Sequence, residues 1–130
     1  MKTILDILIE CASNNSRLFK EAVFAREVDN EVLKQVCKLA LDPTINFYIK
    51  KIPPYSYSGR SIPLGTALQD LDVLRTRELT GAGAIRHLGS LLSHVTPDDA
   101  VVIERIIGRD LRCNVGETIV NKTWKKLIPE

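Results

Sequence analysis

Two glycine-containing segments carry the residues best suited to chemistry, and that chemistry is the binding of phosphate oxygens. The first is Leu79–Ala84, with the sequence LTGAGA, and the second is Gly108–Trp124, with the sequence GRDLRCNVGETIVNKTW. In each segment small residues stand where an apolar helical pattern begins, so the first backbone amides of that helix have no intrahelical partner. Such amides lie at the positive end of the helix dipole and bind anions. The pattern predicts two helix openings that could hold two phosphates of a nucleic-acid backbone.

Charged and polar side chains accompany the second segment. Basic side chains there could neutralise phosphates, and its hydroxyl and amide groups could donate to phosphate or sugar oxygens without reading the bases. The predicted contacts in this segment are Arg109, Arg112, Gly116, Thr118, Asn121 and Lys122.

The same residues also admit a purely structural interpretation. Gly116 can serve as a turn residue, Asn114 can cap the last helix, and Arg109 can pair with Asp110 or Glu104 on a solvated face. Small residues in the first segment can allow two helices to pack closely. The pattern alone leaves both interpretations open.

Enzymatic and metal chemistry are disfavoured by the remaining motifs. His87 and His94 would share a helix face, but no cysteine or carboxylate pattern completes a metal site. The acidic pair Asp98-Asp99 is explained by the electrostatics of a helix start. No glycine-rich loop followed by Lys-Ser or Lys-Thr occurs, and no nucleophile stands in a recognised context. We therefore predict no catalytic residue, no metal site and no cofactor for this chain.

The elements that must position these residues are predicted to be helices. Cap-forming residues precede apolar helical patterns at Thr3, Ser16, Asn30 and Thr96, the last followed by proline and two acids. Apolar residues at helical spacing predict the buried faces, with Ala22 and Ile85 among their members. No alternating pattern long enough for a sheet is present. The predicted fold is all-α, a single compact domain of about six to seven helices.

One long connection interrupts this pattern. Between Thr44 and Leu64, three prolines and a glycine prevent a long helix, and four aromatic residues are concentrated there. A loop of this length either binds a partner or covers the core with its aromatic side chains. The basic pair Lys50-Lys51 could lie along a phosphate backbone or simply face solvent.

Composition bounds the class of protein. The chain has 130 residues, 45% hydrophobic and 26% charged, as expected for a folded domain, and its net charge of +2 is too small to announce a partner. Three cysteines at wide spacing favour reduced thiols in a cytosolic setting. No apolar run is long enough for a membrane span, and the amino-terminal apolar stretch contains Asp6 and Glu10, unlike a signal peptide.

Several irregular strings in the chain resemble one known family, the amino-terminal DNA-binding domain of ATP-dependent DNA ligases, in particular those of T-even phages. The matching strings are FYIKKIP at Phe47–Pro53, RELTGAGAI at Arg77–Ile85, the GRDLRCNVGETIVNKTW segment, and LIPE at Leu127–Glu130. They occur in the same order and, with the first helices, the resemblance covers essentially the whole chain.

The resemblance implies that residues 1–130 form a DNA-binding domain that lies on the minor-groove side of a nicked duplex in replication, repair and recombination. In that family catalysis belongs to a nucleotidyltransferase domain, whose Lys-x-Asp-Gly string takes AMP from ATP with Mg²⁺; neither it nor the OB-fold domain is part of this chain. No lysine here is followed by x-Asp-Gly, so the chain alone is not expected to seal nicks. The implied partners are nicked double-stranded DNA and the catalytic domain of the same ligase, in the cytoplasm of a host cell.

The resemblance carries DNA contacts onto the two helix openings, while the role of Glu117, an acid at a helix start, is capping. The alternative function is a helical protein-interaction module whose Phe47–Pro63 loop docks a replication partner such as a sliding clamp. The resemblance places Lys50 and Lys51 in a matching string without deciding whether they face DNA or the catalytic domain. The residues carried over are Thr80, Gly81, Gly83, Arg112, Gly116, Thr118, Asn121 and Lys122.

Overall fold

The computed structural model describes residues 3–128, and it confirms the predicted all-α fold. Only Leu71 separates α4 from α5, so the two form one interrupted helix and the described chain contains seven helical units. The helices are α1 (Ile4–Ala12), α2 (Arg17–Arg26), α3 (Glu31–Leu41), α4 (Leu64–Asp70), α5 (Asp72–Arg75), α6 (Gly81–Ser93), α7 (Pro97–Ile107) and α8 (Glu117–Thr123). The last two residues of the LIPE string lie outside the described range.

Four helices begin at the predicted side-chain caps. Thr3 and Asp6 form a reciprocal capping box at α1. The side chains of Ser16, Asn30 and Thr96 each accept a hydrogen bond from the amide three residues ahead. Each cap satisfies one of the amides that a helix start leaves without an intrahelical partner. These local signals explain why the sequence placed the starts of α1, α2, α3 and α7 correctly.

The core forms around α7, which packs against α1, α3 and α6, while α2 packs against α1 and α8. Phe24 is fully buried and meets Trp124 edge to face, with ring centroids 5.9 Å apart. The indole nitrogen of Trp124 donates to the carbonyl oxygen of Val28 at 2.9 Å. This contact joins α2 to the end of α8, so the second predicted segment is held on α2. None of the helices between residues 3 and 128 is long and apolar enough to cross a bilayer.

Some residues that the helical spacing placed on buried faces are exposed instead, among them Ala22 and Ile85. Ala22 lies on the solvent side of α2, where Phe24 supplies the buried side chain. Ile85 is 44% exposed because α6 buries the face marked by Ala84, Leu88 and Leu91, which is rotated from the predicted face. The presence of a large apolar residue did not identify the buried face of α6, because a small residue, Ala84, is the one that packs against the core there.

The second half of the long connection, residues 42–63, lies against the carboxyl-terminal part of α6. Pro53 lies against Gly89, with 3.5 Å between the proline ring and a Cβ built on the glycine. Farther on, the amide of Ser58 donates to the carbonyl oxygen of Ser93 at 2.8 Å. These contacts fix the second half of the loop to the surface of α6.

The aromatic side chains of this loop divide between the core and the surface. Phe47 is buried, and Tyr55 donates its hydroxyl hydrogen to Glu104 on α7 at 2.7 Å. Burial and the Glu104 carboxylate raise the pKa of Tyr55 to about 12. Tyr48 and Tyr57, in contrast, are 55% and 46% exposed. Half of the aromatic set therefore wraps the core and half remains available for binding.

A buried carboxylate anchors the start of the loop. Asp42 is 2% exposed and accepts hydrogen bonds from Thr44, and Lys38 forms an ion pair with it at 2.5 Å. Burial opposes the ionisation of Asp42, but the bonds from Lys38 and Thr44 outweigh it and lower the pKa to about 2. The backbone oxygens of Asp42 and Ile45 accept from the Arg109 guanidinium.

The lowered pKa of Asp42 predicts an acid-sensitive contribution to stability. A carboxyl group whose pKa falls on folding contributes its full stabilisation at pH values above its pKa in the unfolded chain, here near 3.8. It loses this contribution as the pH falls toward its pKa in the folded protein, about 2. We expect Asp42→Asn to lower the free energy of unfolding by about 2 kcal/mol at pH 7 and to flatten its decline between about pH 4 and pH 2. Urea titrations of both proteins at pH 7 and pH 3 would check this, and an equal mutational loss at both pH values would contradict it.

Candidate nucleic-acid interface

The opening of α6 has no side-chain cap. Thr80 is the N-cap residue, but its side chain makes no capping hydrogen bond and no acidic residue stands in the first turn. Gly81 has φ +57°, a left-handed conformation that favours glycine, and a Cβ built there would meet nothing within 4 Å. Within residues 3–128, no acceptor bonds the amides of Gly81, Ala82 and Gly83. This opening is exposed backbone with its donors free.

The opening of α8 is similarly uncapped. Gly116 is the N-cap residue, in extended conformation, with no side-chain capping bond and open space where a Cβ would stand. Asn114 does not cap the helix, so that part of the structural interpretation is wrong. Glu117 is the first helical residue and lies exposed; because α8 has no side-chain capping bond, the capping role expected for Glu117 is wrong, although its charge complements the helix dipole. Thr118 is exposed in the same turn.

The starts of α6 and α8 lack the side-chain cap that most other helix starts have. Helices α1, α2, α3 and α7 all receive a side-chain hydrogen bond at their N-caps. Among the described helices that begin independently of a preceding helix, only α4, whose N-cap residue is Pro63, resembles α6 and α8 in lacking one. The two segments with the small-residue pattern are therefore left open in a protein that caps most of its helices.

A buried lysine binds the backbone of the segment that precedes α8. Lys20 is 3% exposed, and its ammonium group donates to the carbonyl oxygens of Cys11 at 2.6 Å and Cys113 at 2.7 Å. On either side of Cys113, Arg112 and Asn114 have φ values of 56° and 54°, which non-glycine residues adopt only when their surroundings hold them. The Lys20 contact is a long-range constraint that the sequence reasoning missed, because nothing local marks a lysine as buried.

Arg112 is the least encumbered cation of the second segment. Its backbone amide donates to Asp110 at 2.8 Å, but its side chain is exposed and forms no ion pair with any residue in the described range. Its guanidinium is therefore free to meet an anion.

Lys122 already has a protein partner. Its ammonium group lies 3.3 Å from a carboxylate oxygen of Glu21, which also binds Arg17. Burial opposes ionisation of Glu21, but the bonds from Lys122 and Arg17 outweigh it and lower the pKa of Glu21. The Lys122 side chain is 64% exposed, so the pair is a surface bridge between α2 and α8. Lys122 could still approach DNA, but a change there also disturbs this bridge.

Two predicted contact residues have structural roles that use their polar groups. Arg109 is half-buried and donates to main-chain oxygens of the loop rather than to Asp110 or Glu104. The amide of Asn121 donates to the carbonyl oxygen of Ile128 at 3.0 Å, and its oxygen accepts the amide hydrogen of Ile128 at 2.9 Å. Both side chains hold the chain in place with these bonds, which a DNA contact would have to displace, and their assignment as DNA contacts stays a prediction.

Other candidate chemistry remains unsupported. Over residues 3–128, no group of three or more His, Cys, Asp and Glu side chains could hold a metal ion. The rings of His87 and His94 each bond a backbone oxygen, those of Asp70 and Ser90. The three cysteines are unpaired, as predicted; they are also buried, and burial raises the pKa of each thiol. Protonated, enclosed thiols are poor nucleophiles.

Comparison with known proteins shows where a domain of this kind occurs. The chain is 39% identical over 131 aligned positions to the DNA ligase of Enterobacteria phage T4, covering 98% of this chain and 27% of the ligase. The DNA ligase of Enterobacteria phage T6 matches to the same extent. No family model matches the chain.

Solved structures agree in fold. A chain named Pmar-Lig_PreS3 superposes with a TM-score of 0.85 at 26% identity, covering 99% of this chain and 32% of that one. A second, named Pmar-Lig_Pre., gives a TM-score of 0.82 at 25% identity, with 97% and 30% covered.

The chain folds as a compact all-α domain in which the starts of α6 and α8 have no side-chain cap. This domain is related to the DNA ligases of T-even phages, and the resemblance predicted from its irregular strings is confirmed. The chain spans about a quarter of the length of those ligases.

Proposed function

We propose that this chain is the DNA-binding domain of an ATP-dependent DNA ligase and binds nicked duplex DNA from the minor-groove side without reading its sequence. The observation that carries the proposal is the pair of uncapped openings at α6 and α8, because free amides at a helix start bind phosphate oxygens. Similarity to phage DNA ligases supports a DNA partner.

The contacts that serve this function belong to two groups. At α6, the free amides and the Thr80 hydroxyl approach the sugar-phosphate backbone, and the missing side chains of Gly81 and Gly83 permit close contact. At α8, Gly116 and Thr118 do the same, with Arg112 adding positive charge and Lys122 at the edge. All of these groups recognise phosphate and sugar, so the binding is independent of base sequence.

The domain contributes residence on DNA and not the chemistry of sealing. The chain contains no Lys-x-Asp-Gly string, and catalysis falls to a nucleotidyltransferase domain that uses ATP and Mg²⁺. Binding by the isolated chain is expected to be modest, since the catalytic neighbour would complete the grip on the duplex.

Titration of a fluorescently labelled nicked duplex with this chain at low salt tests the proposal. We expect a rise in anisotropy and no ligation, with equal affinity for nicked duplexes of unrelated sequence. A domain that only docks a protein partner such as a sliding clamp would give no anisotropy change under these conditions, and that result would refute the proposal.

Arg112→Glu probes the charge at the second opening. We expect binding to nicked DNA to weaken by about tenfold for all sequences, because an exposed cation without an acidic partner becomes an anion beside the phosphates. Lys34→Glu, which makes the same change in net charge on α3, serves as the control and should weaken binding much less. Equal losses in the two variants would indicate a general charge effect and remove Arg112 from the site.

A further inference from the structure

An arginine–tyrosine stack joins the long loop to the approach of α6. The guanidinium carbon of Arg77 lies 4.4 Å from the centroid of the Tyr48 ring, and both side chains are exposed. Arg77 stands three residues before Thr80, so the stack lies close in the chain to the open start of α6. The contact brings two of the ligase-like strings, FYIKKIP and RELTGAGAI, together in space.

The guanidinium in this stack has no acidic partner. Arg75 pairs with Asp72 at 3.1 Å, whereas no ion pair or side-chain hydrogen bond involves Arg77 anywhere in the part of the chain that the structure describes. Lys50, two residues beyond Tyr48, is also exposed and forms no ion pair there. An arginine stacked on a ring keeps the edge of its planar fork available for a phosphate.

The charge distribution favours a polyanionic partner on this side. Residues 43–97 contain six Lys and Arg against three Asp and Glu, while the remaining 75 residues contain twelve against thirteen. The net positive charge of the chain is therefore concentrated in the loop and the helices that it contacts. Residues 43–69 contain no acid at all. A positive field with an exposed aromatic ring fits a nucleic-acid backbone better than an acidic or apolar protein surface.

We propose that Tyr48, Lys50 and Arg77 form an additional contact with the sugar-phosphate backbone of duplex DNA beside the α6 opening. This inference rests on the proposed function and extends it to the loop. The Arg77 guanidinium and the Lys50 ammonium meet phosphates, and the exposed face and edge of the Tyr48 ring pack against a deoxyribose. The loop thereby belongs to the DNA face of the domain and not to a surface that docks the catalytic domain.

Two substitutions separate the charge of the stack from its ring. Arg77→Met keeps a side chain of similar length without charge, and Tyr48→Asn removes the ring while accepting the left-handed backbone, φ 60°, that strains tyrosine. We expect each variant to bind nicked duplex about three- to tenfold more weakly than the wild-type chain, with an unchanged or higher melting temperature. Arg77→Met should also reduce the log–log salt slope by about 0.9, the value for one phosphate, while Tyr48→Asn leaves the slope unchanged.

The control and the contrary outcomes distinguish this inference from the proposed function. Lys34→Met removes one charge from α3 and should bind like the wild-type chain. If Arg77→Met and Tyr48→Asn bind normally while Arg112→Glu binds weakly, the stack is not a DNA contact although the domain binds DNA. If the wild-type chain itself does not bind, the proposed function and the inference both fail.

Discussion

Placing an aspartate at both open helix starts is expected to stabilise the fold and to remove most DNA binding. In the variant Thr80→Asp with Gly116→Asp, each new carboxylate can accept a hydrogen bond from the free amides of α6 or α8 and complement the dipole. The stability gain should be a few tenths of a kcal/mol up to about 1 kcal/mol per helix. The same carboxylates occupy the donors and repel phosphate, so affinity for nicked duplex should fall by about a hundredfold.

Opposite changes in stability and affinity make this variant informative, because a damaged fold would lower both. Ser16→Asp is the control for a single added N-cap charge: it places one negative charge at the N-cap of α2, where the serine side chain already accepts the amide hydrogen of Phe19. Thermal melts and anisotropy titrations of the control should resemble those of the wild-type chain. Retained DNA binding by the doubly capped variant would show that the open amides are not the contact.

The second large effect is expected from the buried lysine, because Lys20→Met removes both hydrogen bonds that its ammonium group makes. The carbonyl oxygens of Cys11 and Cys113 would then be buried without a partner, since methionine fills the space but donates nothing. We expect the free energy of unfolding to fall by about 2–4 kcal/mol, the cost of two buried unsatisfied acceptors. Urea titration at neutral pH measures this directly.

The position of Cys113 extends the consequence of Lys20→Met to DNA binding. Without the bond to its carbonyl oxygen, the left-handed residues Arg112 and Asn114 lose a constraint, and the folded fraction should bind DNA more weakly. Lys34→Met, on α3, controls for loss of one lysine charge and should cost less than about 0.5 kcal/mol. A cost as small for Lys20→Met would mean that water replaces the ammonium group.

Local chemistry explains which parts of the fold could be predicted from the sequence. A capping residue and the amide that it binds are three residues apart, so the starts of α1, α3 and α7 were visible as strings such as Thr-Pro-Asp-Asp. Proline and glycine between Asp42 and Leu64 likewise marked the long loop. The uncapped start of α8 could be anticipated because Gly116 offers no side chain to cap it.

Contacts between residues far apart in the chain could not be predicted in this way. The Arg109 guanidinium reaches the backbone of Asp42 and Ile45, and Asn121 holds Ile128. Both side chains had looked like phosphate ligands, because a sequence shows that a group can donate but not which acceptor lies beside it. The stack of Arg77 on Tyr48 was hidden for the same reason.

The most direct test of the central claim, that open helix amides and nearby cations seat the sugar-phosphate backbone, is the salt dependence of binding to nicked duplex. Affinity of the wild-type chain, measured by anisotropy over a range of salt concentrations, should give a log–log slope of about −3 to −5, corresponding to three to five neutralised phosphates at roughly 0.9 each. A slope near zero, or the absence of binding at low salt, would contradict the account.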